Sequence, residues 1–77
     1  MVIRMFYNDH APPHFHVDHG VSRAAIAVGT GELLAGELSP RALRLVREWA
    51  ALHESELRED WELARARAPL KSIEPLR

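Results

Sequence analysis

Apolar positions recur with period two along the front half of the chain and in steps of three and four along the back half. Residues 2–7 (Val-Ile-Arg-Met-Phe-Tyr) are β-branched or aromatic in the main and run into the turn formers Asn8 and Asp9, which predicts a first strand. Pro12-Pro13 excludes helix and holds Ala11 extended. Beyond the prolines, Phe15 and Val17 alternate with His14 and His16, so residues 14–19 read as a second strand with one apolar and one imidazole-bearing face. Gly20 turns the chain, residues 24–28 read as a third strand, Gly29-Thr30-Gly31 as a hairpin turn, and residues 32–35 as a short fourth strand. The expected product is an antiparallel meander.

Ser39-Pro40 then carries two separate helix-start signals, a hydroxyl that accepts from the free amides and a proline suited to the first helical position. From there Leu45, Trp49, Leu52, Leu57, Trp61, Ala64 and Ala68 follow three- and four-residue steps, with arginines and carboxylates on the other face, until Pro69. One straight helix over residues 40–68 would be about 43 Å long, against about 30 Å across a compact body of this size. A break is therefore expected at residues 53–55, with Ser55 capping a second helix. Residues 71–76 are expected to return as an edge strand, where Pro75 is tolerated. The predicted class is α+β: a small antiparallel β-meander packed against one bent or two successive α-helices, in a single domain of residues 1–77.

Size and charge narrow the picture further. A chain of 77 residues has room for one core only, and with no cysteine to staple it a homo-oligomer is expected. Ten basic against eleven acidic residues give a net charge of -1, so no global field draws the chain to nucleic acid or to an anionic membrane, and only a local patch can do so. No apolar run approaches the roughly 20 residues of a membrane span, and the expected location is cytoplasmic.

The distinctive chemistry lies in Asp9-His10-Ala11-Pro12-Pro13-His14-Phe15-His16-Val17-Asp18-His19. Three readings stay open. As ligands, His14 and His16 project from one strand face at a separation that can chelate a divalent transition metal such as zinc, with Asp9, His10, Asp18 and His19 available to complete a nitrogen and oxygen set. As catalysts, two imidazoles titrating near neutral pH can serve as base and acid in phosphodiester cleavage without a metal, with Arg4 or Arg23 stabilising the transition state. As structural groups, they hydrogen-bond locally on an exposed strand face and bind nothing. His53 and Glu56, one helical turn apart, suit a helix-anchored pair. Trp49 and Trp61 read as core. Arg41, Arg44 and Arg47 form a basic cluster on the first helix, with Glu48 placed to pair with Arg44 and phosphate contact the lesser reading.

The run Tyr7-Asn8-Asp9-His10-Ala11-Pro12-Pro13-His14-Phe15-His16, followed by Thr30-Gly31-Glu32-Leu33-Leu34-Ala35-Gly36, Leu43-Arg44-Leu45-Val46-Arg47-Glu48-Trp49 and Asp60-Trp61-Glu62-Leu63-Ala64, resembles the bacterial domain-of-unknown-function family 4160 over nearly the whole chain. The resemblance implies the toxin half of a two-gene toxin and antitoxin module, whose partner is a small antitoxin protein encoded by a neighbouring gene. It carries over Asp9, His10, His14 and His16 as the candidate functional site. Two alternatives stand beside the toxin reading: a metal-binding accessory or sensor module without enzymatic activity, and a histidine-dependent ribonuclease. Relative to that family the chain starts late, at the Val2-Ile3 strand, so a missing first strand and a sheet edge open to a partner or second copy are expected. It also carries Asp60 where the family often has asparagine.

Overall fold

The computed structural model describes residues 1–7 and 10–76. Its elements are β1 (Val2–Arg4), β2 (His14–His19), β3 (Ser22–Ala27), β4 (Leu33–Gly36), α1 (Pro40–Leu52) and α2 (Glu54–Arg65). The strands form one sheet in the order β1-β2-β3-β4, every neighbouring pair antiparallel. The α+β meander with two successive helices is thus the fold of the chain.

Register assigns each side chain to a face. Ile3, Val17, Ala24 and Gly36 form one row across the sheet, and Phe15, Ile26 and Leu33 another. Phe15, Val17 and Ile26 are fully buried against Val46, Trp49, Ala50 and Leu57 of the two helices. The opposite face carries the rows Arg4, His16, Ala25, Ala35 and Val2, Asp18, Arg23, with His14 facing Ala27. Strand β1 is shorter than its residue types predict: pairing stops at Arg4, Met5 turns towards the core, and Phe6 and Tyr7 leave the sheet exposed.

At the far end a register shift at Ala25/Ile26 sets Leu34 outside the ladder and delivers Gly36 with φ +76 beside β3. A Cβ on Gly36 would lie 2.0 Å from the Arg23 carbonyl oxygen, so the position excludes any side chain by backbone collision as well as by φ. Gly36→Ala is expected to cost about 1–3 kcal/mol, read as a lower urea midpoint with unchanged slope.

Helix α1 starts where Ser39-Pro40 places it, with Ser39 Oγ accepting from the Ala42 amide at 3.1 Å. Ser39→Ala is expected to lower stability by about 1 kcal/mol in the same assay. The break falls at His53, whose φ of -116 ends α1, and not through capping by Ser55: α2 begins at Glu54, and His53 occupies the cap position with no side-chain cap bond. The break also changes which residues are inside. Ala42, Val46, Trp49 and Ala50 are buried on α1, and the row Ala42, Val46, Ala50, four apart, faces the sheet. Leu45 is then only half-buried, and Leu52, expected inside, is 82% exposed because the stripe does not run unbroken into α2. Leu57, Trp61 and Ala64 resume it.

Helix α2 ends at Arg65, not Ala68. Arg67 takes φ 56 while the Ala68 and Arg67 amides donate to the Leu63 and Ala64 carbonyls, a left-handed cap completed just before Pro69. The segment beyond is not the expected edge strand. Its groups bond helix side chains instead: Trp49 Nε1 donates to the Glu74 carbonyl at 2.9 Å, and the Lys71 amide donates to the buried Asp60 carboxylate at 2.9 Å. Ile73 and Leu76 thereby pack on the core. Lys71 Nζ also pairs with Glu59 at 2.7 Å, and this hydrogen bond, helped by the same charge, holds the ammonium above its ordinary pKa. A raised amine stabilises the fold below its unfolded pKa, so this tether persists through neutral pH and loosens only in strong alkali. No described helix is long and apolar enough to cross a membrane.

Candidate functional site

Because β2 alternates, burying Phe15 and Val17 turns His14, His16 and Asp18 to the opposite face of the sheet, where α2 still reaches His14 through Trp61. The His14 and His16 rings lie edge to face with centroids 5.1 Å apart. Pairing then supplies the charges. Arg4 stands opposite His16 on β1 and Arg23 opposite Asp18 on β3, and Asp18 takes both guanidiniums, Arg4 Nε at 2.9 Å and Arg23 Nε at 3.7 Å. Both arginine side chains remain mostly in solvent, at 57% and 86% exposure.

Ala25 and Ala35, next in the His16 row, are too small to fill the space beside it. The result is a shallow cleft of about 370 Å³, walled by Arg4, Phe6, His16, Asp18 and Arg23 over an alanine floor. Phe6, just past β1, sets its ring 4.6 Å from that of His16. Among the described residues two guanidiniums face one carboxylate here, a local excess of positive charge on a chain that carries -1 overall.

His14 is held from two sides. Its Nδ1 donates to the Pro12 carbonyl at 2.7 Å, and since a carbonyl only accepts, the neutral ring keeps its basic lone pair on Nε2. Its ring also abuts that of Trp61 at 5.2 Å. Trp61 is itself buried, and its indole N–H has no hydrogen-bond partner among the described residues. The proline turn therefore fixes the orientation of the first histidine as well as the path of the chain.

His14 adjoins His16 but does not itself line the cleft, and the remaining sequence-derived positions separate from it. His10 is exposed in the loop before the prolines, and Asp9 lies outside the described residues. Among the described residues no three histidine, cysteine or carboxylate side chains gather to hold a metal ion. Asp18, read as a ligand, is engaged by arginines, and His19 is exposed at the end of β2. His53 Nδ1 donates to Glu56 Oε1 at 2.6 Å with its ring against Trp49, which makes the pair a brace for the helix break. Arg47 Nε donates to the Gly31 carbonyl at 2.7 Å and steadies the β3–β4 turn. The Arg44 to Glu48 ion pair expected on α1 is absent among the described residues.

Two features escaped the sequence reading. Asp18 as a bridge between Arg4 and Arg23 was legible in part, since it shares the parity of His14 and His16. Phe6 was read as a strand residue, and nothing in its neighbours signals that the chain leaves the sheet before it. The model of the family described as Domain of unknown function (DUF4160) matches residues 1–62, a span that contains every residue of the cleft. No curated protein and no solved structure gives a significant match.

Proposed function

This chain belongs to the DUF4160 family, and on that premise we propose that it is the toxin half of a two-gene toxin and antitoxin module whose open sheet face cleaves RNA with His14 and His16 and without a metal. The observation that carries the reading is the pair of imidazoles 5.1 Å apart on a face shared with Arg4 and Arg23. RNA brings its own nucleophile, the 2′-hydroxyl. His14 Nε2 takes the hydroxyl proton as the oxygen bonds to phosphorus, and the P–O5′ bond breaks. Protonated His16 gives its proton to the departing 5′-oxygen, leaving a 2′,3′-cyclic phosphate and a 5′-hydroxyl. The two guanidiniums bear the charge that builds on the phosphoryl oxygens.

What favours this over the metal-binding accessory reading is the state of Asp18, the carboxylate in line with the two histidines. It is committed to two arginines, an arrangement suited to an anionic ligand and not to a cation. The antitoxin partner, on this reading, is the product of the neighbouring gene and acts by covering the cleft.

Expression of the chain alone is expected to arrest bacterial growth, and co-expression of the neighbouring gene to restore it. Purified protein is expected to cut RNA in excess EDTA, yielding fragments that end in 2′,3′-cyclic phosphate. Unimpeded growth with intact RNA would overturn the proposal, and cleavage that EDTA abolishes would replace it with a metal-dependent mechanism.

A further inference from the structure

We infer that the cleft recognises single-stranded RNA by stacking one unpaired base on Phe6 while Arg4 and Arg23 hold the phosphates on either side. The inference rests on the ribonuclease reading for the identity of the polymer, and it adds the element that selects which form of RNA enters.

Phe6 is the starting point. It is 47% exposed, although Met5 beside it packs on the core, so the fold leaves an aromatic ring in solvent next to the site. The ring is not adrift: it rests against His16 and forms one wall of the cleft. The floor beside it is alanine, flat and apolar, which lets a planar group lie down without meeting a side chain. A nucleobase has that shape and a π-face for the ring, and stacking of this kind tolerates any base.

The arginines set the backbone path. They stand on β1 and β3, on either side of β2 and two residues out of line, Arg4 opposite His16 and Arg23 opposite Asp18. Asp18 draws both guanidiniums towards the row next to His16, Arg4 Nε at 2.9 Å and Arg23 Nε at 3.7 Å. A base on Phe6 therefore places its sugar and phosphate near His16, where the transfer step occurs. Bases in an A-form duplex are stacked on both faces and cannot use an exposed ring, so a double strand gains only the phosphate contacts.

The test is fluorescence anisotropy with a labelled 2′-O-methylated oligoribonucleotide, which cannot be cleaved, presented single-stranded or in a duplex. The single strand is expected to bind at least tenfold more tightly. Phe6→Ala and Phe6→Leu are each expected to weaken single-strand binding about ten- to a hundredfold and to leave duplex binding unchanged, while Phe6→Trp keeps native affinity. Phe6→Leu retains apolar bulk at this position, so it reports on stacking even where Phe6→Ala disturbs the fold. Equal binding of both forms, native binding by Phe6→Leu, or no binding of the single strand overturns the inference. Failure of the ribonuclease reading looks different, because unmodified RNA then stays intact while the anisotropy results stand.

Discussion

Replacing Phe15 by alanine is expected to remove most of the stability of the fold. The ring is completely buried where the sheet meets both helices, among Val17, Ile26, Val46 and Leu57, and lies edge-on to Trp49 at 6.1 Å. Truncating such a residue costs about 3–5 kcal/mol, part lost transfer energy and part the cavity left behind. At about 0.05–0.15 kcal/mol per residue, a chain of 77 residues holds about 4–12 kcal/mol in all. The variant should thus be partly or wholly unfolded at 25 °C. Phe15→Leu, which keeps most of the volume, should cost about 1.5 kcal/mol or less. Urea titration followed by the fluorescence of Trp49 and Trp61 measures both. A midpoint for Phe15→Ala within error of the native one would mean that the core is not organised around this ring.

The same burial explains why β2 was legible from sequence. Its prolines fix where it starts, Gly20 fixes where it ends, and the alternation between them admits one facing only. The start of α1 was legible for a similar reason, since Ser39 and Pro40 act on their own local backbone. The C-terminal segment was not legible, because what holds it is an indole 25 positions away from Glu74 and a carboxylate 11 positions away from Lys71. No local pattern reports such bonds. For the helices, the length argument located the break near His53. The placement of Leu52 inside failed because one hydrophobic stripe was followed through a point at which the helix changes course.

At the site, the facing of the histidines followed from period two, whereas the meeting of Arg4 and Arg23 depended on register. The β2–β3 connection is Gly20-Val21, flanked by His19 paired with Ser22 and Asp18 paired with Arg23. Had the turn been longer or shorter by one residue, Arg23 would have pointed into the core. Sequence alone offered Gly20 as a turn residue but not the length of the turn. The arginine pair, the bridging carboxylate and the alanine floor all follow from that length. The meeting of two guanidiniums on one carboxylate among the described residues is a product of register more than of composition, on a chain with net charge -1.

Loss of both histidines is expected to abolish the proposed ribonuclease activity while leaving a folded protein. A positioned acid or base contributes about 10²–10⁴-fold to the rate, so His14→Ala with His16→Ala should bring RNA cleavage below detection and remove growth arrest. The two positions differ in their contacts. His16 is half-buried with its ring against Phe6 and His14, and its loss should cost about 0.5–1.5 kcal/mol. His14 gives up the bond to the Pro12 carbonyl and its contact with Trp61, so His14→Ala should cost about 0.5–1.5 kcal/mol. His14→Asn retains an N–H donor for that carbonyl without a titrating group, and should be the more stable and equally inactive variant. Circular dichroism and urea midpoints recorded beside RNA cleavage and growth separate the outcomes. A folded double variant that still cleaves RNA and arrests growth would show that the histidines are not the reacting groups, and would move attention to Arg41, Arg44 and Arg47 on α1. A double variant that unfolds, with His14→Asn both stable and active, would assign the histidines to holding the proline turn against β2.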